Sequence, residues 1–222
     1  MASVKARATK RDGKRAPPVR APVLRTHVPN PPPVFVGRVE EAARLAAAIK
    51  RGPVAVVWGL GGLGKSSLVA HVLHTRFRAR VRRTVWVTIP EADTPDHAAI
   101  EVLRAVTEAY GFRDIDWRAL LADRALLTAT LVELVDKLGC WVVLDDLHHD
   151  DADDGEAART LLSTVARYAT RGRWIATSRF DPHLGELSEQ VVKLGAISDA
   201  ALAKLARACA PRSRTTSFPR TG

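Results

Sequence analysis

Cysteine is scarce in this chain of 222 residues, which contains only Cys140 and Cys209. The two lie far apart in sequence and fit no metal-ligand spacing, so neither a disulfide framework nor a zinc motif is indicated. Such usage is typical of a reducing compartment, and we expect a cytoplasmic protein. Cys140 opens an apolar run, which predicts a buried and unreactive thiol.

Long apolar runs are also absent. No run approaches the 18 residues that a membrane-spanning helix needs, so we predict no membrane span. The amino terminus is basic, but no apolar core follows it, so we expect it not to be a secretory signal. Internal repeats are missing as well. The length and the 46% of hydrophobic residues suffice for one sizeable packed domain.

The positive charge of the chain is concentrated at its ends. The net charge is +10, yet residues 1–30 hold eight Lys/Arg and one acid, and residues 211–222 hold three Arg. This leaves 23 basic and 23 acidic residues between 31 and 210, a neutral balance. We therefore predict a basic, proline-rich disordered tail over 1–33, a domain over 34–208 and a basic disordered tail over 209–222. Contact with nucleic acid is expected only through the N-terminal tail.

Between the tails, short β-branched runs alternate with stretches of helical periodicity. This order is typical of an α/β fold, and it predicts a three-layer sandwich with a mainly parallel five-stranded sheet. The predicted strands are 54–58, 85–89, 140–146, 173–179 and 190–194. The predicted helices are 40–50, a helix through 68–73, 94–110, a region over 117–138 that is open to a break, 156–169, and 199–208 with Ser198 as its cap.

The first predicted strand leads into Gly59–Ser67, which fits the phosphate-binding loop (P-loop) pattern G-x-x-x-x-G-K-[ST]. Glycines allow a tight turn whose N–H groups face phosphate oxygens, at a helix N-terminus that favours an anion. Lys65 is expected at the β- and γ-phosphates, and the Ser66 hydroxyl at Mg²⁺. The predicted nucleotide-binding residues of the loop are Gly59, Gly61, Gly62, Leu63, Gly64, Lys65, Ser66 and Ser67.

A second pattern lies within the same letters. Gly59, Gly61 and Gly64 also spell G-x-G-x-x-G, the dinucleotide fingerprint. That fingerprint requires an acid at the end of the next strand, about 20 residues on, whereas Glu91 comes too late. It also assigns no role to Lys65. The P-loop interpretation is therefore favoured.

Two further strand ends carry charged residues. Four apolar residues precede Asp145 and Asp146, which is the Walker B pattern of a carboxylate at a strand's carboxyl end. Asp145 is predicted to hold Mg²⁺, through water, and Asp146 to orient or deprotonate an attacking water. Arg179 ends the fourth strand, where its guanidinium could detect a γ-phosphate. We take Asp146 and Arg179 as the candidate catalytic residues.

Taken together, these segments resemble the nucleotide-binding domain of the STAND-class NTPases, of the NB-ARC or AP-ATPase type. The likeness covers about 34–208 and rests on five segments: the proline-led segment 31–38 with Glu40-Glu41, the P-loop, Leu144-Asp145-Asp146, Ala176–Arg179, and 191–208 with Leu194, Ser198 and Ala201. The resemblance implies that Val36, Gly37 and Arg38 lie by the adenine and ribose. It also implies ATP or ADP with Mg²⁺ as ligands.

The resemblance further implies a regulatory switch that binds ATP and hydrolyses it slowly. Members normally continue into a helical lid, a winged helix and sensor repeats, and residues 211–222 show no such pattern. We therefore expect either a truncated product or a switch that is assembled with partners, which are other proteins or further copies of this chain. A passive nucleotide binder stays open, as do an AAA+-like ATPase acting with DNA and a small-molecule phosphotransferase.

Overall fold

The computed structural model describes residues 28–88, 97–113, 115–147 and 156–210. In these ranges the strands are β1 Val54–Trp58, β2 Thr84–Thr88, β3 Trp141–Leu147, β4 Arg173–Ser178 and β5 Val191–Lys193. The helices are α1 Val39–Arg51, α2 Lys65–Arg76, α3 Arg78–Val81, α4 His97–Tyr110, α5 Trp117–Ala122, α6 Arg124–Leu138, α7 Glu156–Tyr168 and α8 Asp199–Cys209. Most of both predicted tails, and residues 89 and 94–96, lie outside the described residues.

The five strands form one parallel sheet in the order β2-β3-β4-β1-β5. The predicted α/β class and parallel sheet are thus confirmed. Strand β4 lies between β1 and β3, so it separates the strand that precedes the P-loop from the strand that ends in the two aspartates. Since all strands run the same way, their carboxyl ends meet at one edge of the sheet, where α/β folds place their ligands.

Side chains alternate between the two faces of the sheet, as the period of a strand requires. Val54 and Val56 join the core beneath α4, α6 and α7, whereas Ala55 and Val57 join the core beneath α1 and α2. Both cores are buried, which explains why the strands read as continuous apolar runs instead of alternating ones. The sheet is therefore the middle layer of a helix–sheet–helix sandwich.

The helical region predicted over 117–138 is broken at Asp123. This residue has an extended backbone, and its carboxylate accepts a hydrogen bond from the N–H of Leu126. Asp123 thereby caps the amino end of α6. The predicted cap of α8 is confirmed, because the Ser198 hydroxyl accepts from the N–H of Ala201. The short helix α3 lies in the segment 76–83, between the predicted helix through 68–73 and the predicted strand 85–89. A 3-10 turn over Gly185–Gln190 was not predicted.

Cys140, the residue before β3, is fully buried, and burial raises the pKa of its thiol to about 11. The group is therefore protonated at neutral pH, as expected for an inert cysteine. Among the described residues, no helix is both long and apolar enough to cross a membrane.

Candidate nucleotide-binding site

The P-loop runs from the end of β1 to the first turn of α2, with Lys65 as the first helical residue. Gly64 precedes the helix at φ +85°, a left-handed conformation that suits glycine. Gly59 is needed for a second reason. A Cβ atom on Gly59 would lie 2.3 Å from the carbonyl oxygen of Leu194, so the loop can start here only without a side chain.

Lys65 is buried, with 7% of its surface exposed. Its ammonium donates to the carbonyl oxygens of Gly59, at 2.8 Å, and Leu60, at 3.0 Å. Burial lowers the pKa of Lys65, Asp146 counteracts that effect, and Arg179 adds to it. The ammonium is thus held across the concave side of the loop, where phosphate oxygens would replace the two carbonyls as acceptors.

Asp145, at the end of β3, connects the P-loop to β4. Its Oδ1 accepts hydrogen bonds from the Ser66 hydroxyl and the Thr177 hydroxyl, each at 2.7 Å. Thr177 in turn accepts from the N–H of Asp146, at 2.8 Å. Thr177 is fully buried, and the network connects the first turn of α2 with the neighbouring strands β3 and β4.

Asp146 leaves the strand geometry that Asp145 keeps. Its φ of +60° is left-handed, and the pairing of β3 with β4 shifts register between Leu144 and Leu147. This bulge directs the Asp146 carboxylate to Arg179, whose guanidinium lies 3.4 Å from Oδ2. A left-handed backbone is uncommon for a residue other than glycine and costs conformational energy, which makes this strand end a candidate functional position.

These groups surround one cavity of about 350 Å³. The residues that line it are Gly61, Gly62, Gly64, Lys65, Ser66, Ser67, Thr88, Asp145, Asp146 and Arg179. Six of the eleven residues predicted for nucleotide binding line the cavity, and all six belong to the P-loop; Val36, Gly37, Arg38, Gly59 and Leu63 do not line it. Asp145, Asp146 and Arg179 join them from two other strands.

A magnesium ion fits the donor set at this point. Ser66 and Asp145 present a hydroxyl and a carboxylate oxygen side by side, and Mg²⁺ in nucleotide sites prefers such oxygens together with phosphates and water. In the described part of the chain, no three His, Cys, Asp or Glu side chains gather in a way that could hold a metal by themselves.

Two of the residues predicted beside the base and ribose, Gly37 and Arg38, pack against the P-loop and the segment that leads into α8. Arg38 is 5% exposed, and its guanidinium donates to the carbonyl oxygens of Gly195, at 2.7 Å, and Leu63, at 3.3 Å. A Cβ on Gly37 would lie 2.3 Å from the Cβ of Ala201 in α8. Val36, which precedes them, is partly buried. Their contact with a nucleotide stays a prediction.

Two residues of the site were missed by sequence reasoning. The sequence pattern places Thr177 only at the end of a strand, because its contact with Asp145 depends on β4 lying beside β3. Thr88 lines the cavity from the end of β2. A signal for Thr88 existed, since any polar residue at the carboxyl end of a parallel strand faces the ligand edge.

The fold and the site together define a P-loop NTPase domain. Residues 34–176 match the family model described as AAA ATPase domain, which covers more than half of the chain. The chain therefore belongs to this family of ATP-binding ATPase domains. Thr177 and Arg179 lie just beyond the matched segment. No curated protein matches the chain.

Solved structures share the fold at low sequence identity. A STAND protein with a tetratricopeptide repeat sensor from Pyrococcus horikoshii is similar at 24% identity and a TM-score of 0.58, over 86% of this chain and 27% of that one. A Walker-type ATPase of Pyrococcus abyssi is similar at 15% identity and a TM-score of 0.51, over 86% and 60%. The ORC1 protein of Aeropyrum pernix, solved in complex with DNA, is similar at 17% identity and 0.53, over 82% and 50%. The chain thus spans about a quarter to three fifths of these proteins.

Proposed function

We propose that this domain is a STAND-type switch of the NB-ARC kind, which binds ATP with Mg²⁺ and resets by slow hydrolysis. The observation that carries the proposal is the Arg179–Asp146 ion pair, which lies on the same cavity as Lys65. A γ-phosphate entering this cavity would offer Arg179 a second anionic partner. The presence or absence of that phosphate would therefore decide which partner Arg179 takes, as a switch requires.

Each residue has a separate part in this proposal. The P-loop N–H groups and Lys65 bind the phosphates, and Ser66 and Asp145 would hold Mg²⁺, which supplies charge neutralisation at the phosphates. Asp146 accepts a hydrogen bond or a proton from the attacking water. Thr177 keeps both carboxylates in place. Val36, Gly37 and Arg38 are assigned to the base and ribose side, and Gly59 to the start of the loop.

The proposal is tested by measuring ATP and ADP affinity with Mg²⁺ for three variants. Lys65→Ala should weaken both nucleotides by about 10- to 100-fold, because it removes charge-assisted hydrogen bonds to phosphate. Arg179→Ala should weaken ATP and leave ADP nearly unchanged, since only ATP carries the γ-phosphate. Lys204→Ala is the control, because Lys204 is an exposed lysine on α8 and should change neither affinity.

Phosphate release in the same samples separates a switch from a passive binder. The proposal requires slow release by the wild type that is lost with Asp146→Asn. Equal loss of ATP and ADP affinity in Arg179→Ala would refute the proposed switch and would indicate a site that binds nucleotide without distinguishing ATP from ADP. Unchanged binding in Lys65→Ala would place the nucleotide elsewhere.

A further inference from the structure

The segment 76–83 is strongly basic and exposed, and it takes no part in the nucleotide site. It contains five arginines in eight residues and no acid. The five are Arg76, Arg78, Arg80, Arg82 and Arg83, and all of them are exposed. They occupy the end of α2, the short helix α3 and the turn into β2.

The apolar residues of this segment hold it against the protein. Phe77 and Val81 pack on the core beneath α1 and α2, and the Phe77 ring meets the Trp141 ring edge-on at 5.1 Å. Arg80 lies over the same Trp141 ring, 5.9 Å from its centroid. Arg83 donates to the carbonyl oxygen of Leu138, at 3.0 Å. The backbone is therefore fixed while the arginines remain at the surface.

Three of the arginines have no hydrogen-bond or ion-pair partner within the part of the chain that the structure describes. Arg76, Arg78 and Arg82 form no hydrogen bond or ion pair there. Unpaired arginines this close together repel one another, which costs stability unless an anion is present. The segment thus has both the charge and the free donors to bind a polyanion.

Neighbouring elements extend the positive surface along the amino end of the sheet. The hydrogen bond from Arg83 to the Leu138 carbonyl links the segment to the end of α6. The hydrogen bond from the Arg171 N–H to Asp136 then links α6 to the turn before β4. The start of β4 is linked to the end of α1 by the bond from Arg173 Nε to the Ile49 carbonyl. The exposed basic residues along this path are Lys50, Arg51, Lys137, Arg167 and Arg171. Three acids lie on the same path. Glu133 pairs with Lys137, and Glu189 pairs with Arg51. Asp136 accepts hydrogen bonds from backbone N–H groups and from the Thr170 hydroxyl.

The basic N-terminal segment joins the fold at the same place. Val28 is buried in the core beneath α1 and α2, and the Pro29 carbonyl lies 3.1 Å from Nε2 of His74. His74 precedes Arg76 by two residues. Residues 1–27, which carry eight Lys/Arg and one acid, therefore connect to the domain beside the arginine segment.

We propose that this arginine surface, formed by Arg76, Arg78, Arg80, Arg82 and Arg83, binds the phosphate backbone of nucleic acid. Guanidinium groups bind phosphate through paired N–H donors, and rows of them bind a polyanion without reading its bases. A membrane surface fits less well. Interfacial helices insert apolar side chains into lipid, whereas Phe77 and Val81 are already packed on the protein.

The arginine surface lies at the amino ends of the strands, and the P-loop lies at their carboxyl ends. Nucleic acid bound there would leave the nucleotide cavity open. The inference therefore stands apart from the proposed switch, and Lys65→Ala should bind nucleic acid as the wild type does.

The test is binding of the full chain to a 20-base-pair DNA duplex of random sequence over a salt series. The triple variant Arg76→Gln, Arg78→Gln, Arg82→Gln should weaken binding at least about tenfold at 0.1 M salt. It should also reduce the slope of log K against log salt by about 2.7, since each phosphate contact contributes about 0.9. The matched control is Arg44→Gln, Arg118→Gln, Arg207→Gln, which removes the same charge from exposed arginines elsewhere.

Equal losses in the two triple variants would overturn the proposal, because net charge alone would then explain binding. So would a wild type that binds no duplex at 50 mM salt. Deletion of residues 1–27 should weaken binding and leave it dependent on the three arginines. If that deletion abolishes binding and the triple variant does not matter, the tail is the site instead. Arginine-dependent binding to phosphatidylserine vesicles without duplex binding would assign the surface to a membrane and refute the nucleic-acid inference.

Discussion

At the scale of single residues, Thr177 is the group on which the geometry of the site depends. Its hydroxyl is the donor to Asp145 and the acceptor from the Asp146 N–H, so one oxygen sets the positions of both carboxylates. The residue is fully buried, and a buried polar group that loses its hydrogen-bond partner lowers the stability of the fold. We therefore infer that Thr177 is a positioning residue for Asp145 and Asp146.

The corresponding prediction concerns Thr177→Val, which keeps the shape and removes the hydroxyl. We expect phosphate release to fall about tenfold while ATP affinity changes much less, because misplaced carboxylates affect reaction more than binding. Stability should fall by about 1–3 kcal/mol, since Asp146 N–H loses its partner. Turnover and affinity are measured separately for each variant.

Thr177→Ser is the matched control for this change, because it retains the hydroxyl and should restore most of the turnover. If serine fails as badly as valine, the methyl group and not the hydrogen bonds is what the site needs. A valine variant with wild-type turnover would refute the positioning role.

At the scale of elements, Arg38 ties three segments together. It donates to Glu41 in the first turn of α1, to the Leu63 carbonyl in the P-loop and to the Gly195 carbonyl before α8. Otherwise α8 is weakly attached, since Ala201 is its only buried residue among those described. The attachment of α8 and the conformation of the P-loop therefore depend on the same guanidinium group.

Arg38→Lys tests this coupling. A lysine ammonium is a single point of charge and cannot reach all three acceptors, so the variant should lose about 1–2 kcal/mol of stability. Amide hydrogen exchange over 195–209 should quicken, and ATP affinity should drop several-fold. Arg44→Lys is the control, because Arg44 is an exposed arginine of α1, and it should change none of these. Faster exchange in both variants alike would argue against a specific tie.

At the scale of the whole molecule, the two ends of the sheet differ in character. The carboxyl end carries the P-loop, Asp145 and Asp146, and the amino end carries the arginine surface. Asp136 stabilises the amino end, because its carboxylate accepts from Thr170 N–H and hydroxyl, both at 2.7 Å, from Gly172 N–H, at 2.8 Å, and from Arg171 N–H, at 3.2 Å. It thereby joins α6 to the turn between α7 and β4.

This arrangement predicts a pH dependence of stability. Burial acts to raise the pKa of Asp136, but the hydrogen bonds from Gly172, Thr170 and Arg171 outweigh it, and the pKa is lowered. A lowered folded-state pKa adds stability above the unfolded value, near 3.9, and that stability is lost as the pH falls through the folded value. Asp136→Asn should cost about 2 kcal/mol at pH 7 and progressively less below about pH 4.

Urea unfolding of both proteins between pH 7 and pH 2.5 measures this difference. Asp116→Asn is the control, because asparagine caps a helix as well as aspartate does and Asp116 caps α5 from an exposed position. A difference for Asp136→Asn that stays constant across the range would mean that the charge of Asp136 contributes nothing to stability.

The sequence alone was sufficient for the features that depend on neighbouring residues. Apolar runs located the strands to within a residue or two, since a strand buried on both faces has a local signature. The P-loop spacing identified the nucleotide loop, and the two aspartates after an apolar run identified a strand end, because both patterns lie within a few consecutive residues.

Only the tertiary structure decided which distant residues meet. The order β2-β3-β4-β1-β5 places β4 between β1 and β3, and this brings Thr177 to Asp145 and Asp146 and lets Asp145 meet Ser66. The same order sets the arginine surface and the P-loop at opposite ends of one sheet. Strand order depends on how helices pack over the two faces, and that packing sums contacts across the whole chain, so no local pattern encodes it.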